Sequence, residues 1–186
     1  PIYGPQRLKH YWDAFLTSMA DDIKLRIEDE GRVDLKKLTQ FHNLKDKWAL
    51  SLSGIKISAI RNIHPPIKDS FALRLESRNS TVVVSGDTAY MPDMIDFANN
   101  ADLLIHEAML SEGIDLIMSH LDHNDQRLKN HLLRSHTTAE NVGLIAKRAN
   151  VKCLALNHLV PDGFSEFNRD YWIRSVRRQW SGKIIV

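Results

Sequence analysis

Thr81-Val82-Val83-Val84-Ser85-Gly86-Asp87-Thr88 is the stretch on which the reading of this chain turns. Consecutive valines predict a buried strand, because β-branched side chains fit a covered, pleated surface. The run stops at Gly86-Asp87. Glycine permits a sharp backbone turn, and a carboxylate then stands at the strand's C-terminal end. In layered α/β architectures ligands and metals gather at strand ends. An ordinary Gly-Asp turn explains the stretch equally well on its own. The pattern gains weight because it recurs, with histidines, further along.

Outward from this strand, the upstream chain has a period of two. Trp48, Leu50 and Leu52 alternate with Ala49 and Ser51, and Ser53-Gly54 turns the chain. Ile55, Ile57 and Ala59 alternate in a second strand that runs out at Asn62-Ile63-His64-Pro65-Pro66, and Phe71–Glu76 alternates again. Trp48 to Ser85 is therefore expected to be an antiparallel meander. Downstream the grammar is α/β. Pro92 opens a short helix, and Asp102–Glu107 is a strand. Gly113 to Leu133 is helical in parts. Thr137 offers an N-cap with Glu140 three residues on. Val151–Leu156 is a strand ending at Asn157-His158, a helix carries Tyr171, Trp172, Val176 and Trp180, and Lys183–Val186 is a last strand.

At the start of the chain, apolar residues from Arg7 to about Glu28 recur at helical spacing, with a break near Asp21-Asp22 and an end at Gly31. Arg32–Lys47 reads as a connection with a short helix or strand. The chain begins with Pro1, and Pro1–Pro5 look like a strand already in progress. The expectation is a chain whose start lies elsewhere.

The 186 residues suffice for one domain with a real core. With 43% hydrophobic and 26% charged residues the chain is globular, and a net charge of +2 neither demands nor excludes nucleic acid. No apolar run is long enough to span a membrane and no signal peptide is visible, so a cytoplasmic address and no membrane partner are expected. Cys153, the single cysteine, reads as a small core residue.

Four acid or imidazole groups share one setting: His64, Asp87, His106 and His158 each follow an apolar strand, and His136 precedes a helix. Any one of them alone reads as a structural residue. Their repetition at equivalent positions points to a shared rim, where imidazole and carboxylate are natural ligands for zinc or a similar divalent ion. His10, His42, His120, His123 and His131 lack that setting and read as solvent-facing. His120 and His123 have metal-compatible spacing but no third ligand nearby.

At these residues the chain resembles the metallo-β-lactamase superfamily, in its ribonuclease Z and arylsulfatase-like branch. The resemblance rests on Ser85-Gly86-Asp87-Thr88, Ile105-His106-Glu107-Ala108, Ser135-His136-Thr137-Thr138 and Asn157-His158-Leu159-Val160-Pro161, in that order. Pro1–Pro5 is similar to the segment after that branch's first metal motif. The resemblance implies an α/β fold, part of an αββα sandwich with a mixed sheet and covering helices. Residues 1–186 would be the C-terminal portion of a single such domain.

It also implies roles. His64, Asp87 and His158 would be metal ligands, with Asp87 bridging two ions, two Zn2+ in the intact protein or Mn2+ or Fe2+ in their place. His106 with Glu107 would help protonate the leaving group, and His136 would sit near the substrate phosphate or its equivalent. The implied activity is binuclear metal-dependent hydrolysis of small ester-type substrates (phosphodiester, sulfate ester or similar) through a metal-bound hydroxide.

Two departures stand out. The family's His-x-His-x-Asp-His motif is absent, so the fragment alone is expected to be inactive. The long RNA-gripping arm is also absent, and Leu159-Val160-Pro161 replaces the family's features near the last histidine. Both favour an arylsulfatase-like or general esterase over transfer-RNA processing. One alternative is a non-catalytic binding or assembly subunit. Another is a ribonuclease Z-like RNA endonuclease, for which Arg174, Arg177 and Arg178 would offer a basic face. A half-sandwich leaves an apolar sheet face open, so self-association or pairing with the missing N-terminal half is expected.

Overall fold

The alternating segments form the strands that their periods predict, and a computed structural model describes residues 1–121 and 126–186. It divides into two compact units, residues 1–45 and 46–186.

The first unit holds β1 (Ile2–Gly4), α1 (Leu8–Ser18), α2 (Ala20–Glu30), α3 (Leu35–Leu38) and β2 (Phe41–Asn43), with β1 and β2 paired in parallel. The helical stretch breaks at Met19, two residues before the expected aspartates. Those aspartates instead occupy the first turn of α2, where their charge suits the helix N-terminus. Gly31 closes α2 in the left-handed conformation, at φ 67°.

The second unit is a seven-stranded mixed sheet. β3 (Trp48–Leu52), β4 (Ile55–Arg61), β5 (Phe71–Glu76) and β6 (Thr81–Val84) form the antiparallel meander. β7 (Leu103–Met109), β8 (Cys153–Val160) and β9 (Lys183–Ile185) continue it in parallel, so spatial order follows chain order. The parallel crossovers are made by α4 (Asp93–Phe97), by the pair α5 (Ser111–Ser119) and α6 (Gln126–Ser135) followed by α7 (Ala139–Arg148), and by α8 (Arg169–Arg177).

The core lies on one face of the sheet. Ala72, Val83, Leu104 and Leu154 sit there against Met94 and Ala98 of α4, Val142, Ile145 and Ala146 of α7, and Trp172 and Val176 of α8. Gly143 lets α7 approach α8 closely: a Cβ there would meet the Val176 carbonyl oxygen at 2.5 Å. On the other face, the row Leu73, Val84, Ile105 and Ala155 is only half-buried. No helix among the described residues is long and apolar enough to cross a membrane.

Two sequence expectations shift. The strand expected at Val151–Leu156 is β8, which runs on through Val160, so Asn157-His158 lies within it and not at its end. The cap of α7 is Thr138, whose hydroxyl accepts the Asn141 N–H. The Thr137 hydroxyl is spent on the Thr88 carbonyl.

Candidate active site

The Gly86 turn is specified sterically. Its φ is +60°, and a Cβ there would lie 2.9 Å from Asn62 Nδ2 and 3.0 Å from the Phe71 carbonyl oxygen. Only glycine meets both conditions. The turn is fastened to the end of β4: Asn62 Nδ2 donates to Ser85 O at 2.8 Å, the Ile63 N–H to Thr88 Oγ1 at 3.1 Å, and the Ala89 N–H to Ile63 O at 2.7 Å. The segment carrying His64 and the segment carrying Asp87 are thereby one rigid piece.

Glu107 fastens a third segment to these two. It is fully buried at the C-terminal part of β7. Its Oε1 accepts the Thr88 N–H at 3.3 Å and the Thr137 N–H at 2.8 Å, and its Oε2 lies 3.3 Å from His136 Nδ1. A buried carboxylate is tolerated only when its lone pairs are met by donors, and here three donors meet them. Since the carboxylate accepts, His136 Nδ1 carries the proton in this bond, which fixes the ring and leaves Nε2 as its working nitrogen.

His158 reaches the rim by a bulge. Glu107 pairs with Asn157 and Ala108 with Leu159, so His158 is the extra residue between two registers, at φ 42°. A bulge turns a side chain out of the strand's alternation, and left-handed backbone at a non-glycine residue is a strain that marks functional positions. His158 Nε2 stands 3.5 Å from Asp87 Oδ2, with both side chains substantially exposed, 49% and 39%.

The rings then form a chain across the rim. His158 stacks on His136 with centroids 5.4 Å apart, and His64 meets His136 edge-on at 5.5 Å. His64, Asp87, His136 and His158 therefore come together, joined by Glu107 from beneath. His131, expected to face solvent, joins them: it is half-buried on α6, 5.7 Å from His64 and 6.1 Å from His136 by ring centroids. Burial, then His136 and His64, hold its pKa below the ordinary imidazole value.

His106 does not join them. Strand alternation sends it to the face opposite Glu107, fully buried. Its Nδ1 is bonded to the Glu107 carbonyl at 2.7 Å and its Nε2 has no partner among the described residues. Burial lowers its pKa, so it is neutral. The partner of Glu107 is His136, not His106. His10, His42 and His120 are exposed, the last bonded through Nδ1 to Leu116 O. His123 lies outside the described residues.

The fit to a metal ion can be read from the donors. Two ligands of one tetrahedral zinc, each about 2.1 Å from it, stand about 3.4 Å apart. The 3.5 Å between His158 Nε2 and Asp87 Oδ2 has that span and is long for a direct hydrogen bond. His64 Nδ1 lies 3.2 Å from the Ser135 carbonyl oxygen, an acceptor only, so its proton is on Nδ1 and its Nε2 lone pair is available. The donors fit in kind. No group of three or more His, Cys, Asp or Glu side chains arranged to hold an ion is found among the described residues.

A mixed sheet with helices on one face, and imidazole and carboxylate groups at its strand ends, is the architecture of the metallo-β-lactamase fold. The metallo-β-lactamase fold protein YhfI of Bacillus subtilis superposes with a TM-score of 0.60 at 24% identity, over 86% of this chain and 59% of its own. The short form of human tRNase Z does so at 0.51 and 20% identity, over 85% and 59%.

By sequence, ribonuclease Z of Mycobacterium tuberculosis (strain ATCC 25618 / H37Rv) is 25% identical over 186 residues, all of this chain and 65% of the relative. The chain thus spans less than two thirds of that relative's length. Residues 2–153 match the family described as Anti-Pycsar protein Apyc1, and the chain belongs to that family.

Proposed function

We propose that this chain carries part of the active site of a metal-dependent hydrolase acting on phosphodiesters. The observation that carries the reading is the convergence of Asp87, His158, His136 and His64 above the buried Glu107. Asp87 and His158 would hold a divalent ion, zinc by donor type with manganese or iron as substitutes, and His64 would serve a neighbouring one. The remaining ligands would come from outside the described residues, among which no group of three or more donors is arranged to hold an ion. When bound, such an ion supplies Lewis acidity and a nucleophile at neutral pH. Glu107 orients His136 through Nδ1–H, and His136, carrying a second proton on Nε2 as the imidazolium, would pass that proton to the leaving oxygen and return to the neutral ring. His106, buried and neutral, has a structural place in this scheme.

The relative named a ribonuclease favours phosphodiesters over the sulfate esters that the arylsulfatase-like resemblance implies. The test is turnover by the whole protein of bis(p-nitrophenyl) phosphate, an aryl sulfate, a lactone and a single-stranded RNA, with metal content measured alongside. Phosphodiester turnover lost in Asp87→Ala and restored by no added metal is the expected result. No bound metal and no turnover in the intact protein would sink it.

That second outcome would favour a non-catalytic binding or assembly role. The half-buried row Leu73, Val84, Ile105 and Ala155 suits pairing with a second copy or with the rest of the domain. A strictly monomeric 186-residue chain in light scattering would remove that part of the proposal.

A further inference from the structure

The last turn of α6 holds the side chain of His64 and the backbone of the residue after it. His131 and Ser135 are four residues apart on one face of that helix. The Ser135 carbonyl takes the His64 Nδ1–H at 3.2 Å. The Ser135 hydroxyl donates to the carbonyl of Pro65, the residue after His64, at 2.9 Å. That donation uses the hydroxyl's one proton, so the 3.2 Å contact between Ser135 Oγ and His131 Nδ1 has the His131 N–H as donor. The His131 ring stands edge-on to His64, at 75°. Ser135 is fully buried, and its hydroxyl and its carbonyl are both committed to this chain of bonds.

We propose that Ser135 and His131 are positioning residues for the candidate ligand His64: His131 orients the Ser135 hydroxyl, Ser135 grips Pro65, and the Ser135 carbonyl sets the His64 tautomer. The chain of bonds runs in one direction, from His131 N–H to Ser135 O–H to Pro65 C=O, and ends at the backbone of the residue that follows His64. Neither residue touches substrate. The inference rests on the functional reading above, which makes His64 a ligand, but its structural half stands apart from metal.

Three variants of the full chain separate the parts. Ser135→Ala removes the grip. His131→Phe keeps the ring and its edge contacts but cannot donate. His131→Asn gives up the ring and keeps a donor near the position of Nδ1. The first measurement is nitrogen-15 NMR of the imidazole rings without metal: His64 holds the Nδ1–H tautomer in the parent chain and in His131→Asn, and averages between tautomers in Ser135→Ala and His131→Phe. The second is competition of the whole protein with a chelator for zinc alone, where Ser135→Ala and His131→Phe weaken affinity by about 10- to 100-fold and His131→Asn restores most of it. A His64 tautomer unchanged in both Ser135→Ala and His131→Phe overturns the clamp. Should the parent protein bind no zinc, the hydrolase reading falls and the NMR result alone decides the clamp.

Discussion

Glu107 and His136, separated by 29 positions in the chain, meet with 3.3 Å between Oε2 and Nδ1 under the rim of the sheet. The same carboxylate holds the N–H groups of Thr88 and Thr137, so one buried side chain sets both a proton-carrying imidazole and the loop that presents Asp87.

Glu107→Gln tests that double role. The amide has the shape of the carboxylate but must turn an NH2 toward either His136 Nδ1–H or the two backbone donors. The expected outcome is a loss of stability of about 1–3 kcal/mol in urea, from the buried donor left unmet. Phosphodiester kcat should fall by about 100- to 10,000-fold, the usual worth of a positioned general acid. If Glu107 acts through His136, then Glu107→Gln combined with His136→Ala loses no more activity than His136→Ala alone. Additive losses would show that the two act separately.

The left-handed backbone at His158, φ 42°, makes a different prediction. His158→Gly and His158→Ala both remove the imidazole and both should abolish zinc retention by the whole protein. They should differ in stability. Glycine takes left-handed φ without penalty whereas alanine does not, so the glycine variant should be more stable by about 1 kcal/mol in chemical denaturation. Equal stabilities would mean that the bulge relaxes when its side chain is lost.

Much of this was legible in the sequence for physical reasons. The meander announces itself by a period of two and the Gly86-Asp87 turn by a glycine that ends a run of valines, to which the structure adds the close approach of Asn62 and Phe71. The less legible parts depend on partners distant in the chain. His131 has charged neighbours on its helix and looks solvated, and only the packing of α6 against the His64 segment turns it inward. His158 reads as a strand end because nothing local marks a bulge in β8. The pairing of Glu107 with His136 in place of His106 had a signal: adjacent strand residues face opposite ways, so His106 and Glu107 had to serve different sides of the sheet.

His106 supplies a pH prediction. Burial depresses its pKa below the ordinary value of 6.5, so below that value the unfolded chain takes up a proton that the folded chain refuses. Its contribution is therefore complete above pH 6.5 and is lost as pH falls through the window between 6.5 and the depressed folded value. The slope in that window is at most about 1.4 kcal/mol per pH unit. His106→Leu should be less stable than the parent at pH 7.5, through the lost bond to the Glu107 carbonyl, yet the gap should narrow toward pH 5. Urea midpoints measured across that range check it, and a gap that widens on acidification would reverse the sign argued here.

Gly86 and Gly163 together separate backbone cost from steric cost. Both have positive φ, +60° and +83°, but a Cβ at Gly163 meets nothing within 4 Å whereas one at Gly86 strikes Asn62 Nδ2 and the Phe71 carbonyl. Gly163→Ala should cost about 1 kcal/mol, the conformational penalty alone. Gly86→Ala adds displacement of the Asn62 amide, which must then release Ser85 O, for a total of about 2–4 kcal/mol. Because Asn62 leads directly into Ile63 and His64, and Gly86 into Asp87, the same displacement moves two candidate ligands at once. Gly86→Ala should therefore lose zinc affinity along with stability, while Gly163→Ala keeps it. Calorimetry for stability and chelator competition for zinc give the two readings, and a Gly86→Ala protein with parental zinc affinity would show that the turn does not position Asp87.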